Sequence, residues 1–156
     1  MIEISIPGFR SLRLSHLVLD YNGTLAVDGH LLAGVGDALT ALAHDVAIHV
    51  ITADTFGLAA TQLNGLPVNL TIAPIESQAE TKFAFVTSLG AETVVAIGNG
   101  RNDRLMLKAA SLGISLIQRE GGSVDTMMSA DIASTNILDA LDLLKNPKHL
   151  VAILRS

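Results

Sequence analysis

Short unbroken aliphatic runs that end on polar residues alternate along this chain with longer segments whose apolar positions return at the helical repeat. LVLDYNGT, Leu17 to Thr24, sets the pattern: an apolar run stops at Asp20 and breaks into Asn22-Gly23-Thr24. Parallel strands are buried on both faces and read as continuous apolar runs, so this stretch predicts a buried strand with a carboxylate at its C-terminal edge. VAIHVIT, Val46 to Thr52, repeats it and ends on a hydroxyl followed by Ala53-Asp54. Thr93 to Ile97 repeats it again, running into Gly98-Asn99-Gly100-Arg101-Asn102-Asp103. Val68 to Ala73, Gly113 to Ile117 and Asp131 to Ala133 predict further strands. At the start, Ile2, Ile4 and Ile6 alternate with Glu3 and Ser5 before Pro7-Gly8, the pattern of a half-exposed edge strand and a turn.

The intervening segments read as helices. Leu31 to His44 carries Leu32, Val35, Leu39 and Leu42 at helical spacing, and Glu76 to Leu89 carries Phe83, Val86 and Leu89 with Lys82 near its beginning and Gly90 as its stop. Residues 55 to 64, Arg104 to Ala110, Gly122 to Ser129, Asn136 to Leu144 and Lys148 to Leu154 complete the set, Asn146-Pro147 parting the last two. NGTLAVDG, with Asp28-Gly29, predicts a small hairpin flap after the Asp20 strand. Such alternation of strand and helix implies an α/β fold with a doubly wound parallel sheet and right-handed crossovers. The whole of 1–156 is expected to be one domain.

Composition narrows the setting. A chain of 156 residues can bury a core without disulfides or structural metal, and it has no cysteine to form either a disulfide or a thiolate. A reducing cytoplasm suits such a chain, and a cytoplasmic location is the expectation. The net charge of -5 and the lack of a local Lys/Arg cluster argue against nucleic acid as a partner. Hydrophobic content of 49% raises the question of a membrane, and Thr55 to Ile75 has no charge, but Gln62, Asn64, Gly65, Pro67 and Asn69 interrupt it. Neither a transmembrane helix nor a signal peptide is expected. The five histidines show no metal-ligand spacing.

A carboxylate just beyond a buried strand, followed by a glycine, suits covalent phosphoryl chemistry or metal binding, while the same letters make a good turn. Thr52 and Lys82 are each ordinary when taken alone, and Asp103 could simply cap the helix that follows it. Together, Asp20, Thr52, Lys82 and Asp103 supply a nucleophile, a hydroxyl donor, a cation and a metal ligand in chain order. That order resembles the haloacid dehalogenase superfamily: LDYNGTL is similar to its DxDGT signature, VITAD to its second motif, Lys82 to its third and GNGRND to its fourth, GDGxND. Within the superfamily the motifs resemble the phosphorylation domain of P-type ATPases, with its DKTGT, TGD and GDGxND signatures, as a soluble phosphatase detached from membrane and nucleotide domains.

The resemblance implies a Rossmann-like three-layer sandwich without a cap domain, Mg²⁺ as cofactor and a phosphorylated substrate. It implies catalytic roles for Asp20, Asn22, Thr52 and Lys82, metal contacts from Asp20, the Asn22 carbonyl, Asn99 and Asp103, and substrate contacts from Gly23, Thr24, Ala53 and Asn102. Two positions depart from the phosphatase pattern, both by Asp to Asn. At Asn22 the usual residue protonates the leaving group and activates water, work typically worth about 10²–10⁴-fold, or roughly 3–5 kcal/mol of barrier. At Asn99 a metal-site charge is lost, which weakens but does not forbid Mg²⁺ held by two carboxylates. The chain between motifs is too short for a cap, so an open site is expected, covered by a second copy in a homo-oligomer or by a large substrate. Two readings follow from the resemblance and its departures: a Mg²⁺-dependent phosphohydrolase working slowly through phospho-Asp20, or an attenuated regulatory or binding module on the same fold. A response-regulator receiver has a similar residue set in a different order.

Overall fold

The computed structural model describes residues 1–156. The chain begins with Ile2–Ser5 (β1) and Ser11–Leu14 (β2), an antiparallel hairpin separate from the main sheet. The expected edge strand is thus half of this hairpin. Its inward residues, Ile4, Leu12 and Leu14, still enter the main apolar core. Ser15 separates β2 from His16–Leu19 (β3), which leads through the flap strands Ala26–Val27 (β4) and His30–Leu31 (β5) to Val35–Leu42 (α1). There follow Ala47–Thr52 (β6), Ala59–Gln62 (α2), Asn69–Ile72 (β7), Gln78–Ser88 (α3), Val94–Gly98 (β8), Arg104–Ala109 (α4), Leu112–Leu116 (β9), Val124–Ser129 (α5), Ile132–Ser134 (β10), Ile137–Lys145 (α6) and Pro147–Leu154 (α7).

Six strands form one sheet in the order β10-β9-β8-β3-β6-β7, parallel throughout. The chain winds outward from β3 in one direction through β6 and β7, then returns to β8 on the other side of β3 and winds outward again. This is a doubly wound α/β fold of the Rossmann type, and its strand order reverses between β3 and β8. Crevices at such switch points, beyond the carboxyl ends of the strands, are where open α/β sheets bind ligands. One face of the sheet packs on α1, α6 and α7 through Val35, Leu39, Leu141, Leu144 and Leu150. The other packs on α3 and α4 through Val18, Ile51, Val86, Met106 and Leu107. No helix is long and apolar enough to cross a membrane.

Three helices differ from the sequence pattern for local reasons. α1 starts only after Gly34, whose φ of 85° breaks the helical geometry that Leu31 and Leu32 would otherwise begin. α2 keeps four residues, because Asp54 and Gly57 at φ 54° and 69° turn the chain first. On α3 the buried positions are Ala79, Lys82 and Val86, while Phe83 is exposed. Periodicity assigns a lysine to the solvent face; here two carboxylates below the helix neutralise it and the stripe rotates by one residue.

Candidate active site

The candidate site is a cleft of about 160 Å³ beyond the ends of β3, β6 and β8, lined by Asp20, Asn22, Thr52, Lys82, Asn102 and their neighbours. Asp20 and Thr52 arrive there because buried strands end at the sheet edge, and Lys82 and Asn102 because the helical segments after β7 and β8 start beside it. Asp20 follows β3 and is tied to the neighbouring strand by its N–H, which donates to the Ile97 carbonyl at 3.1 Å. Thr52 ends β6 and is 3% exposed; its Oγ1 accepts the Asp54 N–H at 3.0 Å, leaving the hydroxyl proton free to donate. Asp54 itself caps α2, its Oδ1 accepting from the N–H groups of Leu58 and Ala59.

At the centre, Lys82 reaches in from the first turns of α3. Its Nζ donates to Asp20 Oδ1 at 2.9 Å, Asp103 Oδ1 at 2.7 Å and Asn102 Oδ1 at 3.3 Å. Burial alone would lower its pKa; Asp20 and Asp103 reverse that and hold it above the ordinary lysine range. Asp103 is completely buried beneath the lysine, its Oδ2 accepting the N–H groups of Asn99 and Gly100 at 3.0 Å each. Burial, then repulsion from Asp20, raise its pKa to about 7. Gly98 is small of necessity, since a side chain there would meet the Asp103 carboxyl.

The sequence-expected residues separate into two layers. Asp20, Asn22, Thr52, Ala53, Lys82, Asn99 and Asn102 line the cleft, and Asp103 lies one layer below. Gly23 and Thr24 stand behind the wall: their N–H groups close the turn on the carbonyls of Ala26 and Tyr21, and Thr24 is wholly buried. The N–H groups of Tyr21, Asn22 and Ala53 are among those left without a protein acceptor at the strand ends. Sequence reasoning missed Gln78, which lines the cleft one turn before Lys82, and Gln118, which hydrogen-bonds to the turn after Asp20. The i, i+4 spacing of Gln78 and Lys82 is a signal that could have found the first. Tyr21 is buried, donates to the Gly29 carbonyl at 2.8 Å and so pins the flap; burial, with a smaller push from Asp54, raises its pKa to about 12.

The donors suit a hard cation. Around the cleft they are oxygens, namely the free Oδ2 of Asp20 and the buried Asn22 Oδ1 with no hydrogen-bond partner, with the Asp103 carboxyl beneath. No group of three His, Cys, Asp or Glu side chains gathers anywhere to hold a metal unaided. Such an ion would need substrate or water oxygens to complete its shell, as Mg²⁺ commonly does.

No protein-family profile matches the chain. An uncharacterized protein of Methanocaldococcus jannaschii is 52% identical over 62 residues, which span 40% of this chain and 67% of that protein. Among solved structures, the magnesium-, phosphate- and KDO-bound 3-deoxy-D-manno-octulosonate 8-phosphate phosphatase of Moraxella catarrhalis aligns over 89% of this chain and 92% of its own, with TM-score 0.68 and 17% identity. The cobalt-bound deoxy-D-mannose-octulosonate 8-phosphate phosphatase of Haemophilus influenzae aligns over 92% and 94%, with TM-score 0.72 and 13% identity. A zinc-transporting PIB-type ATPase aligns over 78% of this chain but 20% of its own, with TM-score 0.59 and 24% identity. The chain belongs to one family with the Methanocaldococcus protein, and it shares the fold of these phosphatases and of the aligned fifth of the ATPase.

Proposed function

We propose that the protein is a Mg²⁺-dependent phosphohydrolase working through an aspartyl phosphate on Asp20. The observation that carries this is the Asp20 carboxylate itself. One of its oxygens is held by Lys82 and the other has no protein partner, at the switch point of the sheet and beside a free hydroxyl and unpaired N–H groups. An oxygen of Asp20 attacks phosphorus, the P–O bond to the leaving group breaks, and the leaving group departs with its electron pair. Water then attacks phosphorus, the bond to Asp20 breaks, and inorganic phosphate leaves with the carboxylate restored. Lys82, the Thr52 hydroxyl and the N–H groups of Tyr21, Asn22 and Ala53 hold the negative oxygens in both steps. Asp20 and Asn22, with Asp103 beneath them, would hold Mg²⁺, which shields phosphate charge from the carboxylate. Both phosphatase neighbours carry a divalent ion in their structures, magnesium in one and cobalt in the other.

Asn22 has no proton to give, so the leaving group takes its proton from solvent and the attacking water loses its proton there. Esters with poor leaving groups turn over slowly as a result. With Mg²⁺ and an aryl phosphate, Asn22→Asp is expected to raise kcat by about 10-fold or more, and Asp20→Asn to abolish turnover. Equal inertness of wild type and both variants would replace the enzyme by the second reading, a binding module. The observation in favour of that reading is the same Lys82 bridge, which ties one oxygen of Asp20 and one of Asp103 to a single ammonium. Exposed Phe56 and Ile75, on the loops after β6 and β7, and Val124, at the start of α5, support a second copy or a large substrate as the cover of the open cleft.

A further inference from the structure

Two carboxamides outside the proposed chemistry grip the turn that follows Asp20. Asn99 Oδ1 accepts the Thr24 hydroxyl at 3.3 Å while its Nδ2 donates to the Gly121 carbonyl at 3.1 Å. Gln118 Nε2 donates to the carbonyls of Gly23 and Thr24 at 3.1 and 3.0 Å, while its Oε1 accepts the Ile137 N–H at 2.8 Å. A carbonyl can only accept and a peptide N–H can only donate, so these partners fix which end of each amide points where. The contact is close: Gly23 lies at φ 80°, and a Cβ there would run into the Asn99 carboxamide.

We infer that Asn99 and Gln118 form a clamp that positions the Asn22–Thr24 turn and the base of the flap, and that Asn99 is a positioning residue and not a ligand position left one charge short. The inference rests on the phosphohydrolase reading for its catalytic consequence alone. An amide donates and accepts at once, whereas an aspartate at this position would set a carboxylate oxygen against the Gly121 carbonyl and release that strand-end loop. The Asp-to-Asn departure at position 99 is therefore required by this packing, which leaves Asn22 as the one departure that removes chemistry. The clamp joins three segments distant in sequence, the turn after β3, the loop after β8 and the loop after β9, and through Ile137 it reaches the start of α6.

The test compares the full-length wild type, Asn99→Asp and Gln118→Leu by amide hydrogen exchange, Mg²⁺ titration calorimetry and aryl phosphate kinetics. The clamp predicts that amides of residues 22–31 exchange about 10-fold faster in both variants while those of β8 keep their protection. It predicts that Asn99→Asp binds Mg²⁺ no more than about twofold tighter than wild type, and that kcat falls about 10-fold with KM changed less than about threefold. Unchanged exchange of residues 22–31 in Asn99→Asp, or Mg²⁺ bound about 10-fold tighter by it, would overturn the clamp. Should Asn99→Asp fail to fold, Thr24→Val removes only the hydroxyl it accepts and is read in the same way. If wild type neither binds Mg²⁺ nor turns over substrate, the phosphohydrolase reading fails, and the exchange result still decides the clamp.

Discussion

Asp20, Lys82 and Asp103 form a buried chain of charge in which one ammonium serves two carboxylates. The cost of the second negative charge falls on Asp103, the more deeply buried of the two, which is the carboxyl that retains a proton. Its pKa is 3.8 in the unfolded chain and about 7 in the fold, so the native state holds the extra proton over that interval. A raised pKa contributes stability that is present below about pH 4 and is lost as pH rises through about 7, at up to about 1.4 kcal/mol per pH unit. Without Mg²⁺, denaturant melts of Asp103→Asn should therefore gain on wild type by about 1–3 kcal/mol between pH 5 and pH 8. A constant difference across that range would mean that Asp103 is ionised throughout. At this scale Asp20, Thr52 and Lys82, which the fold brings to one cleft, could be singled out only by their order along the chain and the motifs it resembles, since Thr52 and Lys82 are each ordinary alone. Gln118 was not, because its partners lie 94 and 95 residues away and only the fold brings them together.

α3 shows how an element couples the site to the sheet. It carries Lys82 towards Asp20, and one turn later Phe85 packs edge-on against His49, with ring centroids 5.5 Å apart. His49 in turn meets His16 across β3 and β6, nitrogen to nitrogen at 3.2 Å, a bond that needs one of the two rings neutral. Burial, then the neighbouring His16, lower the His49 pKa below its ordinary 6.5. A base with a lowered pKa contributes stability above its unfolded value and loses it as pH falls. From pH 7 to pH 5 the wild type should lose more stability than His49→Gln, measured by thermal or denaturant melts. Parallel loss in both proteins would remove the pair from the pH response. Aliphatic runs identified the strands of the main sheet. They did not reveal that Ile2–Ser5 pairs with Ser11–Leu14 outside that sheet, since strand partners are set by tertiary packing. Helix starts slipped where Gly34, Asp54 and Gly57 take positive φ, which periodicity alone does not show.

For the whole molecule, the order of motifs along the chain becomes proximity because the sheet is doubly wound. β3, β6 and β8 are adjacent, so the residues after their ends converge although Asp20 and Asp103 are distant in sequence. Strand order was not readable from the residues; only the alternation of elements, and the resemblance built on four motifs, pointed to it. The insertion after β3 is no larger than the β4–β5 hairpin, which leaves the cleft without a cap. The central claim is that Asp20 becomes phosphorylated, and the most direct measurement is the intact mass and peptide map of wild type and Asp20→Asn after acetyl phosphate and Mg²⁺. The account predicts one added phosphoryl group in wild type, carried by the peptide that holds Asp20, not formed when Mg²⁺ is left out of the reaction and absent from the variant. No phosphoryl group in wild type, or the same group in Asp20→Asn, would contradict it.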